Sequence, residues 1–144
     1  MSRVDTTEKV QASPSKVWTW FRPERMKEWY GPELALLSPG PLGKGSRVRI
    51  SGRSGTKRPG YEAVVTEYAE NRSLAWEGSD GRAAYRVAFL ITPRDGGTVV
   101  FLRDEFRLRG LLGRLYEKLF LIGRVAKYDR HFLSQLKRLV EGKG

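Results

Sequence analysis

Two aspartates lie where the sequence otherwise predicts apolar side chains. Asp104 belongs to an alternating run in which Leu102 and Phe106 share its face. Asp129 lies about 20° from Ile122 on an ideal helix, inside the apolar side of the C-terminal segment. Burial raises the pKa of a carboxyl group, and two interacting carboxyl groups hold one proton between them. If both aspartates face one cavity, they are candidate acid and base groups near neutral pH.

Tyr85 is the third candidate, and a predicted hairpin turn places it. The pair Asp95-Gly96 is preferred in two-residue turns with positive φ angles. The turn sets Arg94 opposite Gly97, which puts Val87 opposite Asp104 and Tyr85 opposite Phe106 on one face of the sheet. Diagonal neighbours on a face are about 7–8 Å apart, within reach of a long side chain. Asp104 and Tyr85 are therefore the residues expected to be catalytic if the protein is an enzyme.

The ligand-binding residues predicted from this register are mostly apolar and come from the sheet and the last helix. They are Trp76, Tyr85, Val87, Phe89, Leu102, Asp104, Phe106, Ile122 and Asp129. Other interpretations stay open, because structural ion pairs also bury carboxylates. Asp104 could pair with a base or reach water, Asp129 could accept a structural hydrogen bond, and Trp76 could line or plug the cavity. His131 falls on the polar side of the helix, and we expect it in solvent.

The elements that must position these residues follow from periodicity and punctuation. Alternation at 3–12 predicts an opening strand, and Ser13-Pro14 is typical of a helix start. Two short helices are expected, one closed by Pro23 and one over about 24–30. Strands are predicted near 34–39, 46–52, 61–69, 72–78, 82–92 and 97–108.

A long amphipathic helix is predicted from Gly110 to about Val140. Its expected buried stripe is Leu112, Leu115, Leu119, Ile122, Ala126, Leu133, Leu136 and Val140. Gly123 marks a kink or a close packing contact in this helix. The stripe needs a large partner, so the fold class is α+β, with a curved seven-stranded antiparallel sheet, two short helices after the first strand, and the long helix over the concave face.

Composition limits the kinds of site that the chain is expected to form. The 144 residues are expected to form a single domain, 1–144, with 40% hydrophobic residues. With no cysteine and one histidine, we expect no disulfide, no metal site and no cofactor. No apolar stretch approaches a membrane-spanning length and no signal-peptide pattern opens the chain, so a cytoplasmic protein is expected.

The net charge of +11 points to a polyanionic partner. Residues 44–58 hold six basic residues and no acid. This stretch is interpreted as a solvated hairpin face, or as a collar for an anionic ligand or a weak contact with an anionic membrane surface. No motif supports nucleic acid as a partner.

Five segments carry a resemblance to a known family. They are VQASPSKVWTWF at 10–21, EWYGP at 28–32, GSRVRI at 45–50, RSLAWEG at 72–78 and GGTVVFLRDEF at 96–106. The sequence resembles the START-like, helix-grip (SRPBCC) superfamily, in its polyketide cyclase/dehydrase-type branch. The resemblance implies a deep apolar cavity between the concave sheet face and the C-terminal helix, with the 52–60 loop as a mobile gate.

The leading hypothesis is binding of a hydrophobic small molecule, such as a lipid, a polyketide or an aromatic ring compound. A first alternative is a cyclase or dehydratase that uses acid and base groups of the cavity, because positioning supplies much of such a rate. A second alternative is an accessory domain that contacts membranes or nucleic acid through its basic surface. The sequence leaves the oligomeric state open.

Overall fold

The structure is a computed structural model that describes residues 1–51 and 60–142. Seven strands form one antiparallel sheet in the order β1-β7-β6-β5-β4-β3-β2. They are β1 (Ser2–Val10), β2 (Glu33–Leu36), β3 (Arg47–Ser51), β4 (Tyr61–Ala69), β5 (Ser73–Ser79), β6 (Ala83–Arg94) and β7 (Gly97–Leu108). Short helices α1 (Pro14–Trp18) and α2 (Pro23–Met26) follow β1, joined by a 3₁₀ turn at Thr19–Phe21. The C-terminal segment covers the sheet, so the predicted α+β helix-grip fold is confirmed.

The β6–β7 hairpin has the predicted register. Arg94 pairs with Gly97, Val87 with Asp104 and Tyr85 with Phe106. Asp95 and Gly96 have φ angles of 48° and 77°, as a two-residue turn of this kind requires. The hairpin therefore fixes which face of the sheet receives Asp104 and Tyr85.

The first helices begin as the sequence predicts and end earlier. The Ser13 hydroxyl accepts a hydrogen bond from the backbone N–H of Lys16 at 3.3 Å, and Pro14 opens α1. Val17 and Phe21 are buried in the core, while Trp20 is half-buried. The sequence predicts the second helix over 24–30, but it spans only Pro23–Met26.

Part of the core is built from aromatic side chains of the segment after β1 and of β6. Phe21, Trp29 and Phe89 contact one another edge to face, with ring centroids 5.1 to 5.6 Å apart. Trp29 also donates its indole N–H to the backbone carbonyl of Trp20 at 2.8 Å, which satisfies the polar atom of a buried ring. This packed block supports one end of the ligand site described below.

The predicted long C-terminal helix is confirmed, and it contains one π-helical turn that divides it into three pieces. They are α3 (Gly110–Tyr116), a π-helical turn (Glu117–Leu121) and α4 (Ile122–Val140). Gly123 has open space around its Cα, so the predicted close packing contact is absent there. The irregularity lies upstream, at the π turn.

The predicted buried stripe is correct for the C-terminal half of α4, half-buried at Ile122 and Ala126, and wrong for α3 and the π turn. Leu133, Leu136 and Val140 are buried, whereas Leu112 is 84% exposed and Leu119 is 63% exposed. The physical reason is the buried Glu117, which lies on the opposite side of this helical segment. Its carboxylate accepts hydrogen bonds from the backbone N–H of Leu108, at 2.7 Å, and from the hydroxyl of Ser2. These bonds turn the leucines away from the sheet.

Three predictions stay untested: the gate, the role of the basic stretch and the single domain. Residues 52–59, which hold most of the predicted gate and half of the basic stretch, lie outside the part of the chain that the structure describes. The single-domain assignment stays a prediction. Within residues 1–51 and 60–142, no helix is long and apolar enough to cross a membrane.

Candidate functional site

A cavity of about 410 Å³ lies between the sheet and the C-terminal segment. Its wall takes residues from β3, β4, β6, β7, the π turn and α4. The lining residues are Tyr30, Pro32, Ile50, Tyr61, Asp80, Arg82, Tyr85, Val87, Asp104, Phe106, Leu108, Tyr116, Leu121, Val125, Tyr128, Asp129 and Phe132. This volume is in the range of small-molecule sites in proteins.

Asp104 and Asp129 meet in this cavity and their carboxyl groups hydrogen-bond to each other. Asp104 comes from β7, where its partners across the sheet are the buried Val4 and Val87. Asp129 comes from the buried face of α4, one turn before Leu133, and is only 2% exposed. The buried Oδ2 of Asp129 has no hydrogen-bond partner among the described residues. We call these two residues the carboxyl pair.

Burial dominates the electrostatics of the carboxyl pair. Desolvation raises the pKa of Asp129, and its hydrogen bond to Asp104 raises that pKa further. Desolvation also raises the pKa of Asp104, partly offset by the hydrogen bond from Asp129, which lowers it. Two carboxylates in contact cannot both ionise cheaply, so the pair shares one proton near neutral pH. The pair therefore offers one protonated and one ionised carboxyl group side by side.

Tyr30 is fixed beside the carboxyl pair by ring packing. Its ring lies 5.2 Å from the Phe132 ring and 5.8 Å from the Phe89 ring, between centroids. Gly31 permits this arrangement, because a Cβ there would lie 2.6 Å from the Phe132 ring. Burial raises the pKa of the Tyr30 hydroxyl, and the negative charge of the carboxyl pair raises it further. Tyr30 therefore stays a neutral hydrogen-bonding group.

Tyr61 and Tyr85 form a stacked pair on the sheet wall. Their ring centroids are 4.4 Å apart with an interplanar angle of 19°. The Tyr61 hydroxyl accepts a hydrogen bond from the indole N–H of Trp76 at 3.1 Å, which leaves its own proton available to donate. Burial raises the pKa of Tyr61, so it also stays neutral.

The structure brings together five of the predicted site residues on the cavity wall: Tyr85, Val87, Asp104, Phe106 and Asp129. The others lie elsewhere. Trp76, Phe89 and Leu102 are fully buried in the core and are not part of the lining, because other side chains cover them. Ile122 is half-buried, and its neighbours Leu121 and Val125 face the cavity in its place. His131 is exposed, as expected.

Sequence reasoning missed Tyr30, Phe132 and the two tyrosines at the mouth of the cavity, Tyr116 and Tyr128. Tyr30 lies in the segment after α2, whose path no periodicity determines. Phe132 follows Val125 and Tyr128 at helical spacing. This spacing could have indicated a ligand-facing side of α4, distinct from the side that packs in the core. Tyr116 and Tyr128 line the cavity and are 40% and 46% exposed, so they form its mouth.

The site can bind a polar atom within apolar surroundings and can move a proton there. One protonated carboxyl group donates a hydrogen bond, while its ionised partner accepts one or acts as a base. The tyrosine hydroxyls add neutral donors. No group of three or more His, Cys, Asp or Glu side chains that could hold a metal ion occurs in residues 1–51 and 60–142.

Comparison with known protein families decides the broader assignment. A family model described as "Polyketide cyclase / dehydrase and lipid transport" matches residues 1–141. The chain belongs to this polyketide cyclase/dehydrase and lipid transport family. The resemblance noted from the sequence is thereby confirmed.

Solved structures share the fold of this polyketide cyclase/dehydrase family member at low identity. The Aha1 dimer from Colwellia psychrerythraea is 18% identical, with 100% of each chain covered and a TM-score of 0.73. The protein TTHA0849 from Thermus thermophilus is 18% identical, with 98% of each chain covered and a TM-score of 0.77. CalU16 from Micromonospora echinospora is 14% identical, with 96% of this chain and 75% of that chain covered and a TM-score of 0.67. No curated protein matches the chain.

Proposed function

We propose that the protein binds a neutral, mostly apolar small molecule whose polar oxygen hydrogen-bonds to the carboxyl pair. The observation that supports this proposal is the placement of the carboxyl pair on the wall of a cavity of about 410 Å³ that is otherwise lined largely by apolar and aromatic side chains. Small-molecule sites are mostly apolar, with a few polar groups that orient the ligand. The family description, which names polyketide cyclases and lipid transport, agrees with such a ligand.

Charge favours a neutral ligand. A carboxyl pair with one proton carries one negative charge in a desolvated site, so it repels carboxylates and phosphates at that depth. A ketone accepts a hydrogen bond from the protonated member of the carboxyl pair, and a phenol can also donate to the ionised member. Aromatic ring compounds and polyketides carry both kinds of oxygen on an apolar frame. The ring pair of Tyr61 and Tyr85 offers such a frame a flat apolar face.

A cavity-filling variant tests binding with 2-naphthol as the probe. Val87 lines the cavity and is 3% exposed, so Val87→Phe places ring atoms where the ligand would lie. We expect wild-type protein to bind 2-naphthol, as measured by its fluorescence, and Val87→Phe to weaken binding on the order of tenfold or more. Native mass spectrometry and solvent extraction of the purified protein look for a co-purified ligand.

The matched control is Val64→Phe, because Val64 is 45% exposed on another strand and does not line the cavity. It should bind the probe as wild type does, and circular dichroism shows that both variants are folded. Absence of naphthol binding together with absence of any extracted ligand would overturn the proposal. Equal affinity of folded Val87→Phe and wild type would overturn the assigned cavity.

A second candidate function, proton-transfer catalysis, is favoured by the placement of two adjacent carboxyl groups on the cavity wall. In such a reaction the ionised member of the pair takes a proton from the carbon next to a ketone, while the protonated member gives its proton to the carbonyl oxygen. The product is the enol, the nucleophile that cyclisation or dehydration chemistry of a polyketide uses. Both protons are accounted for within the pair, so the step needs no further reactant.

Exchange of the α-hydrogens of 2-tetralone in D₂O tests this second candidate. We expect wild-type protein to accelerate deuterium uptake, followed by NMR, and Asp104→Asn to lose the acceleration while retaining most 2-naphthol binding. Asp95→Asn is the control, since the Asp95 carboxylate is 75% exposed in a turn. If wild type and Asp104→Asn exchange at the same rate, the catalytic candidate is wrong and the binding proposal stands.

A further inference from the structure

The helical segment before α4 carries an apolar face that points away from the protein. Leu111 and Leu112 are each 84% exposed, Leu115 is 55%, Leu119 is 63% and Phe120 is 59% exposed. These five residues, here called the apolar face, lie on one side of α3 and the π turn. A contiguous exposed apolar patch on a helix is typical of a surface that contacts another apolar phase.

Charge around the apolar face has one sign. Residues 107–131, all of which the structure describes, contain seven exposed basic side chains: Arg107, Arg109, Arg114, Lys118, Arg124, Lys127 and Arg130. The two acids in this stretch, Glu117 and Asp129, are buried, 4% and 2% exposed. The apolar face is therefore bordered by exposed cations and by no exposed acid from its own segment.

A groove beside the apolar face concentrates this charge. It has a volume of about 330 Å³, and Arg82, Arg107, Arg109 and Arg114 are among its lining residues. The Arg109 guanidinium donates to the backbone carbonyl of Gly81 at 3.4 Å, which ties the two sides of the groove together. Guanidinium groups suit phosphate oxygens because several N–H donors lie in one plane. We call this feature the arginine groove.

We propose that the apolar face and the arginine groove together dock the protein on an anionic lipid bilayer. Leucine and phenylalanine would enter the acyl region, while the arginines would contact lipid phosphates, as in interfacial amphipathic helices. Charge complementarity selects this partner over a second copy of the chain, since a symmetric contact would bring the basic borders of two copies together.

Docking would place the ligand cavity next to the lipid surface. Tyr116, at the mouth of the cavity, belongs to α3, and Leu121, on its wall, to the π turn. The Tyr116 ring also lies 5.7 Å from the Phe120 ring of the apolar face, between centroids, so the mouth of the cavity borders that face. This step rests on the proposed ligand binding. It identifies the ligand class as molecules that partition into membranes.

Vesicle co-sedimentation tests the docking proposal with the full chain. We expect wild-type protein to bind phosphatidylcholine vesicles that contain phosphatidylserine, to bind pure phosphatidylcholine vesicles far less, and to bind less as salt increases. Leu112→Ser combined with Leu119→Ser should lower the partition coefficient on the order of tenfold or more. Arg107→Glu combined with Arg114→Glu should remove the preference for phosphatidylserine.

The controls carry the same changes on other surfaces. Val64→Ser with Leu90→Ser alters apolar residues that are 45% and 48% exposed on the sheet, and Arg47→Glu with Arg72→Glu makes an equal change of charge. Both controls should sediment with anionic vesicles more strongly than their matched variants.

Three results would overturn docking. The first is absence of wild-type binding to anionic vesicles, and the second is equal binding by the leucine variant. The third is a wild-type dimer in analytical ultracentrifugation that becomes a monomer in the leucine variant, with no binding to vesicles. The affinity for 2-naphthol, measured without vesicles, separates this proposal from the proposed function. Docking can fail while the cavity binds, and an empty cavity would leave vesicle binding intact.

Discussion

Asp129 is a carboxylic acid on a helix face otherwise used for packing, with Leu133, Leu136 and Val140 continuing that face toward the C-terminus. An ionised carboxylate at this depth is costly unless paired. The cost is reduced by a proton shared with Asp104. The contribution of the carboxyl pair to the stability of the folded protein therefore depends on pH.

The sign of this dependence follows from the raised pKa values of the pair. Above the ordinary aspartate pKa of 3.8, the unfolded chain releases protons that the folded protein retains. Stability from this source is therefore full at low pH and is lost as pH rises toward the raised pKa. One proton corresponds to a slope of up to about 1.4 kcal/mol per pH unit.

Asp129→Asn should reduce that slope, because asparagine cannot ionise and its amide donates to an ionised Asp104. We expect the free energy of unfolding of the variant, relative to wild type, to increase steadily between about pH 5 and about pH 9. Urea denaturation at several pH values measures this difference. Asp95→Asn should run parallel to wild type, and a parallel line for Asp129→Asn would show that the pair holds no shared proton.

The residue scale also shows what sequence can predict. The cavity-facing position of Asp104 is predictable because one turn, Asp95-Gly96, fixes the register of the whole β6–β7 hairpin. That of Asp129 is predictable because helical periodicity places it among apolar residues. The position of Tyr30 is not, since it depends on how the segment after α2 packs against Phe132 and Phe89.

At the scale of elements, the hairpin turn and α4 respond in opposite ways to the same substitution. Gly96 has a φ of 77°, which alanine adopts only with strain, whereas Gly123 lies in α4 with open space at its Cβ position. Gly96→Ala should lower the free energy of unfolding by about 1 kcal/mol, and Gly123→Ala should raise it by about 0.5–1 kcal/mol. Thermal and urea denaturation measure both changes, and destabilisation by Gly123→Ala would contradict the open environment.

The C-terminal segment shows where periodicity misleads. The leucines of α3 have the spacing of a buried stripe, and in α4 the same spacing does mark the core face. In α3 the face that contacts the sheet is instead set by Glu117, through its bonds to the Leu108 backbone and the Ser2 hydroxyl. Helical spacing identifies an apolar face, but it does not say whether the neighbour of that face is the protein's own core.

At the scale of the whole molecule, part of the net charge of +11 lies close to the cavity. Sequence alone identifies residues 44–58 as a basic stretch, part of which the structure does not describe. The structure adds a second basic region, along 107–131, next to the cavity mouth. Cavity, mouth and basic border belong to one end of the sheet and the segment that covers it, which is consistent with a ligand that reaches the protein from a lipid surface.

A crystal structure of the protein soaked with 6-bromo-2-naphthol tests ligand binding most directly. The anomalous signal of bromine locates the ligand independently of the protein density. We expect bromine between the sheet and α4, near Val87 and Phe106, with the naphthol oxygen within hydrogen-bonding distance of Asp104 or Asp129. Bromine found solely outside this cavity at saturating probe, with the carboxyl pair contacting no ligand, would contradict the proposed site.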